Sequence, residues 1–353
     1  MAQPVDRRQF LIAGLASTLA GPAAAEGGPP VLIADMHAHL FFFGPRPASA
    51  QPLARSMAAG NVTLFSWSLV GDVPWLKRSR RGFEQSGSPK PGEAQAWFEK
   101  DLARIKEHIA QQGLKIVRTP ADVDLALKGD PHVVLSVEGA SFLERDAAQL
   151  QAAYDQGIRH VQLVHYIRNP LADFQTERPE HAGMTELGKA VVQQCNRLGI
   201  LVDLAHCTAD AVRDALAVAK APLVWSHSSV TRTRQPGWAM PVWQARQLSL
   251  DSAKAIAAKG GVVGLWSLPS DVGRSVGAYA ERLAELADWL GEDHAAFGTD
   301  MNAIANPLIA SYADLQRVIA HWQKRKMPET RIRKLAIENY ARVLRQAIGS
   351  KQA

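Results

Sequence analysis

The sequence predicts a (β/α)₈ barrel, a single TIM-barrel domain with extra helices at its C-terminal end, and three observations carry that expectation. Short β-branched runs alternate eight times with longer amphipathic stretches within residues 31–298. The runs are almost continuously apolar, as parallel strands covered on both faces require. Imidazoles and carboxylates recur just beyond them, at Asp35, His37, His39, Glu138, His165, His206, His227 and Asp300. A doubly wound open sheet shares the alternation but spreads its strand ends along an edge. A barrel gathers them on one face, where distant residues share a pocket.

Ahead of the first strand, Asp6-Arg7-Arg8-Gln9-Phe10-Leu11 precedes the apolar run 12–20, and Ala23-Ala24-Ala25 offers a small-residue cleavage site before Glu26. This is the plan of a twin-arginine-type signal peptide over 1–25, which directs residues 26–353 to the periplasm. The run falls short of the roughly 20 residues a membrane-spanning helix takes, so an anchor is the lesser alternative, and no later segment looks able to span. Export in the folded state suits a chain that takes up a cofactor first.

Strands are expected at 31–34, 61–68, 132–137, 160–164, 200–204, 222–225, 261–266 and 295–298. Trp97, Leu102, Ile105 and Ile109 recur at helical spacing across 96–111, and the stretch 187–198 ends at Gly199, so both read as crossover helices. Residues 71–93, rich in Gly, Ser, Pro and basic side chains, lack periodicity and read as a long loop on the active-site face, in the position of a lid. From Tyr312 onward the chain reads as two helices closing the barrel.

The net charge of +6 falls by one when Asp6, Arg7 and Arg8 leave with the leader. Lys77-Arg78-Ser79-Arg80-Arg81 and Lys324-Arg325-Lys326 lack interleaved aromatics and read as solvated surface rather than a nucleic-acid track. Two cysteines, Cys195 and Cys207, read as buried free thiols.

His37 and His39 stand two apart, so on extended backbone both project to one side, as two ligands of one metal must. Two hydrogen-bonded pocket histidines would show the same spacing. Glu138 closes the apolar run Val133-Val134-Leu135-Ser136-Val137, where a buried carboxylate needs a metal, an arginine or a helix terminus. His206 after Leu201-Val202-Asp203-Leu204 and His227 after Leu223-Val224-Trp225-Ser226 repeat the device. Four imidazoles and one carboxylate exceed the three protein ligands of a single catalytic zinc, so two Zn²⁺ ions with Glu138 bridging fit better. Such a pair holds a bridging hydroxide and polarises a carbonyl, which is amide or ester hydrolysis. Asp300 is placed to pass a proton to the leaving group or to orient a ligand histidine. His165 is a donor to the developing oxyanion or a plain pocket histidine.

The ordered series Asp35-Met36-His37-Ala38-His39, Val137-Glu138-Gly139, Leu163-Val164-His165, Asp203-Leu204-Ala205-His206, Ser226-His227-Ser228 and Gly298-Thr299-Asp300 resembles the membrane (renal-type) dipeptidases, zinc peptidase family M19 of the amidohydrolase-like superfamily. Asn169-Pro170-Leu171-Ala172-Asp173 and Glu338-Asn339-Tyr340-Ala341-Arg342-Val343 extend the likeness from about Val31 to the C-terminus. The resemblance implies one zinc on His37 and His39, the other on His206 and His227, and Glu138 between them. It further implies that His165 contacts the substrate carbonyl, that Asp300 handles the proton, and that Arg246, in Ala245-Arg246-Gln247-Leu248, holds the substrate carboxylate. Three features depart from the family. His39 stands where aspartate is usual, Asn302 and Ala303 replace an acidic residue and a glycine, and a lipid-anchor signal is not apparent. Exchanging aspartate for histidine removes a negative charge and makes a bridging water more acidic.

The expectation is an exported dipeptidase acting on small dipeptide-like amides, with tolerance of a D-residue on the C-terminal side. Nucleic acid and stable membrane insertion are not expected, and a homodimer is left open. Two rivals remain at this point: a related binuclear amidohydrolase acting on a cyclic amide or lactone, and a non-hydrolytic isomerase or binding protein of the same fold.

Overall fold

Eight parallel strands follow one another around a barrel in chain order. They are β1 (Ile33–Ala38), β2 (Val62–Val70), β3 (His132–Glu138), β4 (Ile158–Gln162), β5 (Leu201–Asp203), β6 (Val224–Trp225), β7 (Val262–Leu265) and β8 (Ala295–Phe297). The computed structural model describes residues 30–40, 52–79, 82–233 and 236–351. The expected leader, 1–25, lies outside them, as do Arg80 and Arg81.

Continuous ladders join β1 through β8, with the short strand Lys115–Ile116 added beside β3. The seam between β8 and β1 is closed differently. There Asp300 N–H donates to His37 O at 3.0 Å and His39 N–H to Met301 O at 3.0 Å. The Asp35 carboxylate accepts from Thr299 N at 3.0 Å and Thr299 Oγ1 at 2.6 Å. These bonds replace a ladder and leave the barrel nearly closed.

The pleat divides the core into two. Phe65, Trp67 and Leu69 of β2 and Val133, Leu135 and Val137 of β3 pack in the large apolar layer between strands and helices. Leu64, Val134, Leu201, Val224, Val262 and Ala296 join a second cluster with Tyr340, Ala341 and Leu344 of the last helix, Asn339–Gly349. That helix stops the N-terminal end of the barrel, which among the described residues leaves the other end to a ligand. Crossover helices are set by ordinary local signals: Thr185 accepts from Gly188 N–H to cap Glu186–Leu198, which turns out through Gly199 at φ 75°.

The first strand runs on to Ala38, so His37 lies on the strand itself rather than beyond it. The segment 71–93 also differs from an irregular loop. It carries an antiparallel hairpin, Leu76–Ser79 with Gly82–Gln85, in which Arg78 lies opposite Phe83. Alternating charge hides this hairpin from a periodicity reading, because neither strand has an apolar face. Helices Tyr312–Lys324 and Asn339–Gly349 follow β8 as expected, the latter entered through Glu329–Arg333 and a π turn at Lys334–Glu338. Among the described residues no helix is long and apolar enough to cross a membrane. Cys195 and Cys207 are buried and unbridged, and burial pushes the Cys195 thiol up to about 12.

Candidate active site

Every site residue read from the strand ends is brought to one place. Glu138, the last residue of β3, is 2% exposed and lies among five imidazoles. Its Oε1 is 3.5 Å from His37 Nε2, 3.2 Å from His206 Nε2, 3.4 Å from His227 Nε2 and 3.5 Å from His165 Nε2. Its Oε2 is 3.4 Å from His39 Nε2. The Nε2 atoms of His37 and His39 stand 3.1 Å apart, and those of His206 and His227 3.3 Å. Asp300 Oδ1 completes the ring at 3.3 Å from His39 Nε2 and 3.9 Å from His37 Nε2.

The outward nitrogens explain why the inward ones converge. His39 Nδ1 lies 2.8 Å from Ser68 O, an acceptor only, so the proton sits on Nδ1 and the Nε2 lone pair faces the centre. Ser68 Oγ is 3.0 Å from His37 Nδ1, and Ser226 Oγ lies 2.9 Å from His227 Nδ1 and 3.3 Å from His37 Nδ1. Asp72 Oδ1 holds His165 Nδ1 at 2.7 Å, while its Oδ2 accepts from Tyr166 N–H at 3.0 Å. Two glycines make room. A Cβ on Gly298 would lie 1.7 Å from Ser226 O, and one on Gly139, at φ 80°, 2.9 Å from His165 Cβ. His206 and Asp300 themselves adopt left-handed backbone, at φ 71° and 53°, a strain concentrated where the side chains must turn inward.

Electrostatics follow from this crowding. Burial acts to raise the Glu138 carboxyl, but the charges of His165 and His37 and the His206 hydrogen bond outweigh it and hold it well below the carboxylate range. Burial, with the Arg246 charge, keeps His206 well below the usual histidine value; burial and His37 do the same to His227. Against its own burial, His39 is raised by Asp300 and Glu138, and His165 by Asp72 and Glu138. The centre is an ionised carboxylate with at least two neutral imidazoles.

That donor set suits cations. Imidazole nitrogens at 3.1–3.3 Å from one another can share a proton or a cation, and Glu138 Oε2 has no hydrogen-bond partner among the described residues. Three groups could each hold an ion: His37 with His39 and Glu138, Glu138 with His206 and His227, and His37 with His227 and Asp300.

Arg246 is 1% exposed and reaches the same cavity. Its Nη1 donates to Gln175 Oε1 at 2.6 Å and its Nη2 to His227 Nε2 at 2.9 Å, while Nε has no partner. The cavity, about 200 Å³, is walled by Phe83, Tyr166, Val242, Trp243, Trp266, Leu268 and Ile304 around the polar centre. Burial pushes the Tyr166 hydroxyl up to about 12. Sequence reasoning missed Asp72, Ser68, Ser226 and Gln175, which orient the predicted residues. Asp72 carried a usable signal, since it follows the end of β2 as Glu138 ends β3.

Fold and site together define a (β/α)₈ barrel with a histidine–carboxylate cluster fit to hold metal at the C-terminal ends of its strands. More particularly, the model of the membrane dipeptidases, peptidase family M19, matches residues 55–353, and the chain belongs to that family. It is 26% identical over 240 residues to dipeptidase verJ of Clonostachys rogersoniana, covering 65% of this chain and 59% of that protein. To dipeptidase aclJ of Aspergillus oryzae it is 28% identical over 181 residues, covering 49% and 41%. The chain thus spans about half the length of these relatives. A metallopeptidase from Rhodobacter sphaeroides, solved with a phosphinate mimic of L-Ala-D-Ala, superposes with a TM-score of 0.73 at 22% identity, over 90% of this chain and all of that one. This likeness establishes the barrel.

Proposed function

We propose that the chain is a zinc dipeptidase that hydrolyses the amide of small dipeptides at a two-metal centre. His37 and His39 would hold one ion, His206 and His227 the other, and Glu138 both. The convergence of these Nε2 atoms on one ionised, buried carboxylate carries the reading. Bound zinc supplies Lewis acidity, polarising the carbonyl and acidifying water.

The chain's own groups do the rest. Arg246 takes the substrate carboxylate: the His227 lone pair it now holds is the one a metal ligand gives up, which releases Nη2, and Nε is already unengaged. His165, fixed through Nδ1 by Asp72, turns Nε2 to the centre and donates to the carbonyl oxygen as negative charge develops there. Asp300 accepts the proton of the attacking water and delivers it to the leaving amine. The D-residue tolerance proposed for the C-terminal side is supported by the L-Ala-D-Ala mimic held by the Rhodobacter sphaeroides metallopeptidase. The twin-arginine-type leader at 1–25 supports export to the periplasm, checked by fractionation of cells expressing the full chain.

The test is turnover of L,L and L,D dipeptides by the zinc-loaded protein, with metal counted per chain and mass measured in solution to distinguish monomer from homodimer. Failure on every amide sinks the peptidase reading, and fewer than about one zinc per chain after mild purification sinks the two-metal centre. The His37/His39 pair favours one second reading, a binuclear hydrolase of cyclic amides or lactones, which the same substrate panel separates.

A further inference from the structure

Arg246 does not line its end of the cavity alone. Tyr166, next in the chain to His165, lines the same cavity, and one carboxylate fixes both residues: Asp72 Oδ1 lies 2.7 Å from His165 Nδ1, and Asp72 Oδ2 accepts from Tyr166 N–H at 3.0 Å. Neighbouring rings then hold the phenol in place. Its centroid is 4.4 Å from that of His165, 4.8 Å from that of His206 at 88°, and 5.8 Å from that of Phe83. The hydroxyl faces the Arg246 guanidinium. Burial pushes it up to about 12 and keeps it protonated, while the Arg246 charge and hydrogen bond act the other way.

The other side-chain donors beside Arg246 are engaged. Gln175 gives Nε2 to Gln247 O at 2.8 Å and takes Arg246 Nη1 on Oε1 at 2.6 Å. Trp266, whose ring lies 5.8 Å from the guanidinium, gives Nε1 to Asp271 at 2.8 Å. A guanidinium has only donors, so the phenol oxygen meets it as an acceptor and the phenol proton points elsewhere. Among the described residues no group takes that proton. Arg246 Nε is unengaged as well, and Nη2 is released when His227 ligates a metal. Two N–H groups beside one O–H form the donor set of a carboxylate, whose two oxygens accept from both.

We infer that Tyr166 is a second anchor for the substrate's C-terminal carboxylate, its hydroxyl donating to one oxygen while Arg246 donates to the other. This rests on the dipeptidase reading above and adds a specificity residue to it. A carboxamide at the same place offers one acceptor oxygen in place of two, so it does not satisfy both donors in this way. Tyr166 therefore helps the site to distinguish a free C-terminus from a blocked one.

The experiment compares Tyr166→Phe with the wild-type chain, both full-length and zinc-loaded, on Leu-Ala and on its C-terminal amide, by steady-state kinetics and by calorimetric binding. Phenylalanine keeps the ring and its contacts, and the ratio of acid to amide within each protein cancels any general loss of zinc or fold. On Leu-Ala, KM should rise on the order of 10-fold, the scale of a hydrogen bond to a charged group, with kcat within about twofold; on the amide the two proteins should agree. An unchanged acid-to-amide ratio overturns the inference, and so does a fall in kcat with KM held, which would put the hydroxyl on the reacting carbonyl. Either result leaves the dipeptidase reading intact. If neither protein hydrolyses Leu-Ala, that reading fails instead, and calorimetry decides: weaker binding of Leu-Ala to the variant with the amide unaffected upholds the anchor, and any other pattern overturns it.

Discussion

The barrel holds two buried histidine–carboxylate arrangements, one deeper between β5 and the last helix and one at the C-terminal rim, and they differ in crowding and access. In the deeper one His160 Nε2 stands 3.4 Å from Asp203 Oδ2, both residues wholly buried. His160 Nδ1 is 3.3 Å from Ser66 Oγ and 3.3 Å from Tyr340 OH, under the last helix. One imidazole meets one carboxylate, and Asp203 also accepts from Ser226 N at 3.0 Å and Ala205 N at 2.9 Å. The facing atoms of that pair make no hydrogen bond, yet one ring is matched to one carboxylate and the last helix lies over them. At the open end five imidazoles share Glu138, one of its oxygens lacks a hydrogen bond, and a cavity adjoins. Buried polarity that is balanced fastens the fold; an excess of lone pairs beside a cavity is a place for a ligand.

The sharpest way to break this contrast is Glu138→Gln. Metal content and turnover should fall together to background, whereas the unfolding temperature of the metal-free protein should move far less. Asp203→Asn should do the reverse, costing about 3 kcal/mol or more of stability with metal-free and metal-loaded protein affected alike, as read by denaturant unfolding. Ser68→Ala removes the hydroxyl on His37 Nδ1 but keeps the backbone acceptor for His39, so zinc affinity should drop by about 10–100-fold in a competition titration.

A third carboxylate sharpens the rule with the smallest effect. Asp271 has no histidine partner, and burial pushes it up from 3.8 to about 6, against hydrogen bonds from Gln247 and Trp266. Its folded-state proton is held more tightly than its unfolded one. That contribution is therefore complete below 3.8 and is lost as pH rises through about 6. Compared with Asp271→Asn, the wild-type chain should lose on the order of 1–3 kcal/mol across that window. Parallel stability curves for the two proteins would show that burial does not govern this group.

The site was legible in sequence where a barrel makes it so. His37, His39, Glu138, His206, His227 and Asp300 each end an apolar run, and parallel strands of a closed sheet deliver such ends to one rim. The orienting residues were not. Ser68 and Ser226 look like ordinary polar positions on or beside a strand, and their task depends on which ring nitrogen faces them. Asp72 sat in a stretch without periodicity. The expected end of the first strand at residue 34 fell short because Asp35 and His37 read as loop polarity, although they are strand residues facing the interior. Arg246 was suggested by resemblance, and its burial against His227 needed the fold.

One consequence lies in the seam. Asp35 and Thr299 are 264 residues apart, yet with a few backbone bonds they join the first strand to the last. His37 and His39 are synthesised near the start of the barrel and Asp300 at its very end, so the pocket is finished only when the final strand docks. A cation held there would tie the two margins together across the last seam of the barrel. It therefore reports completion: a chain stalled before Thr299 has most of its imidazoles and no finished cage to close them.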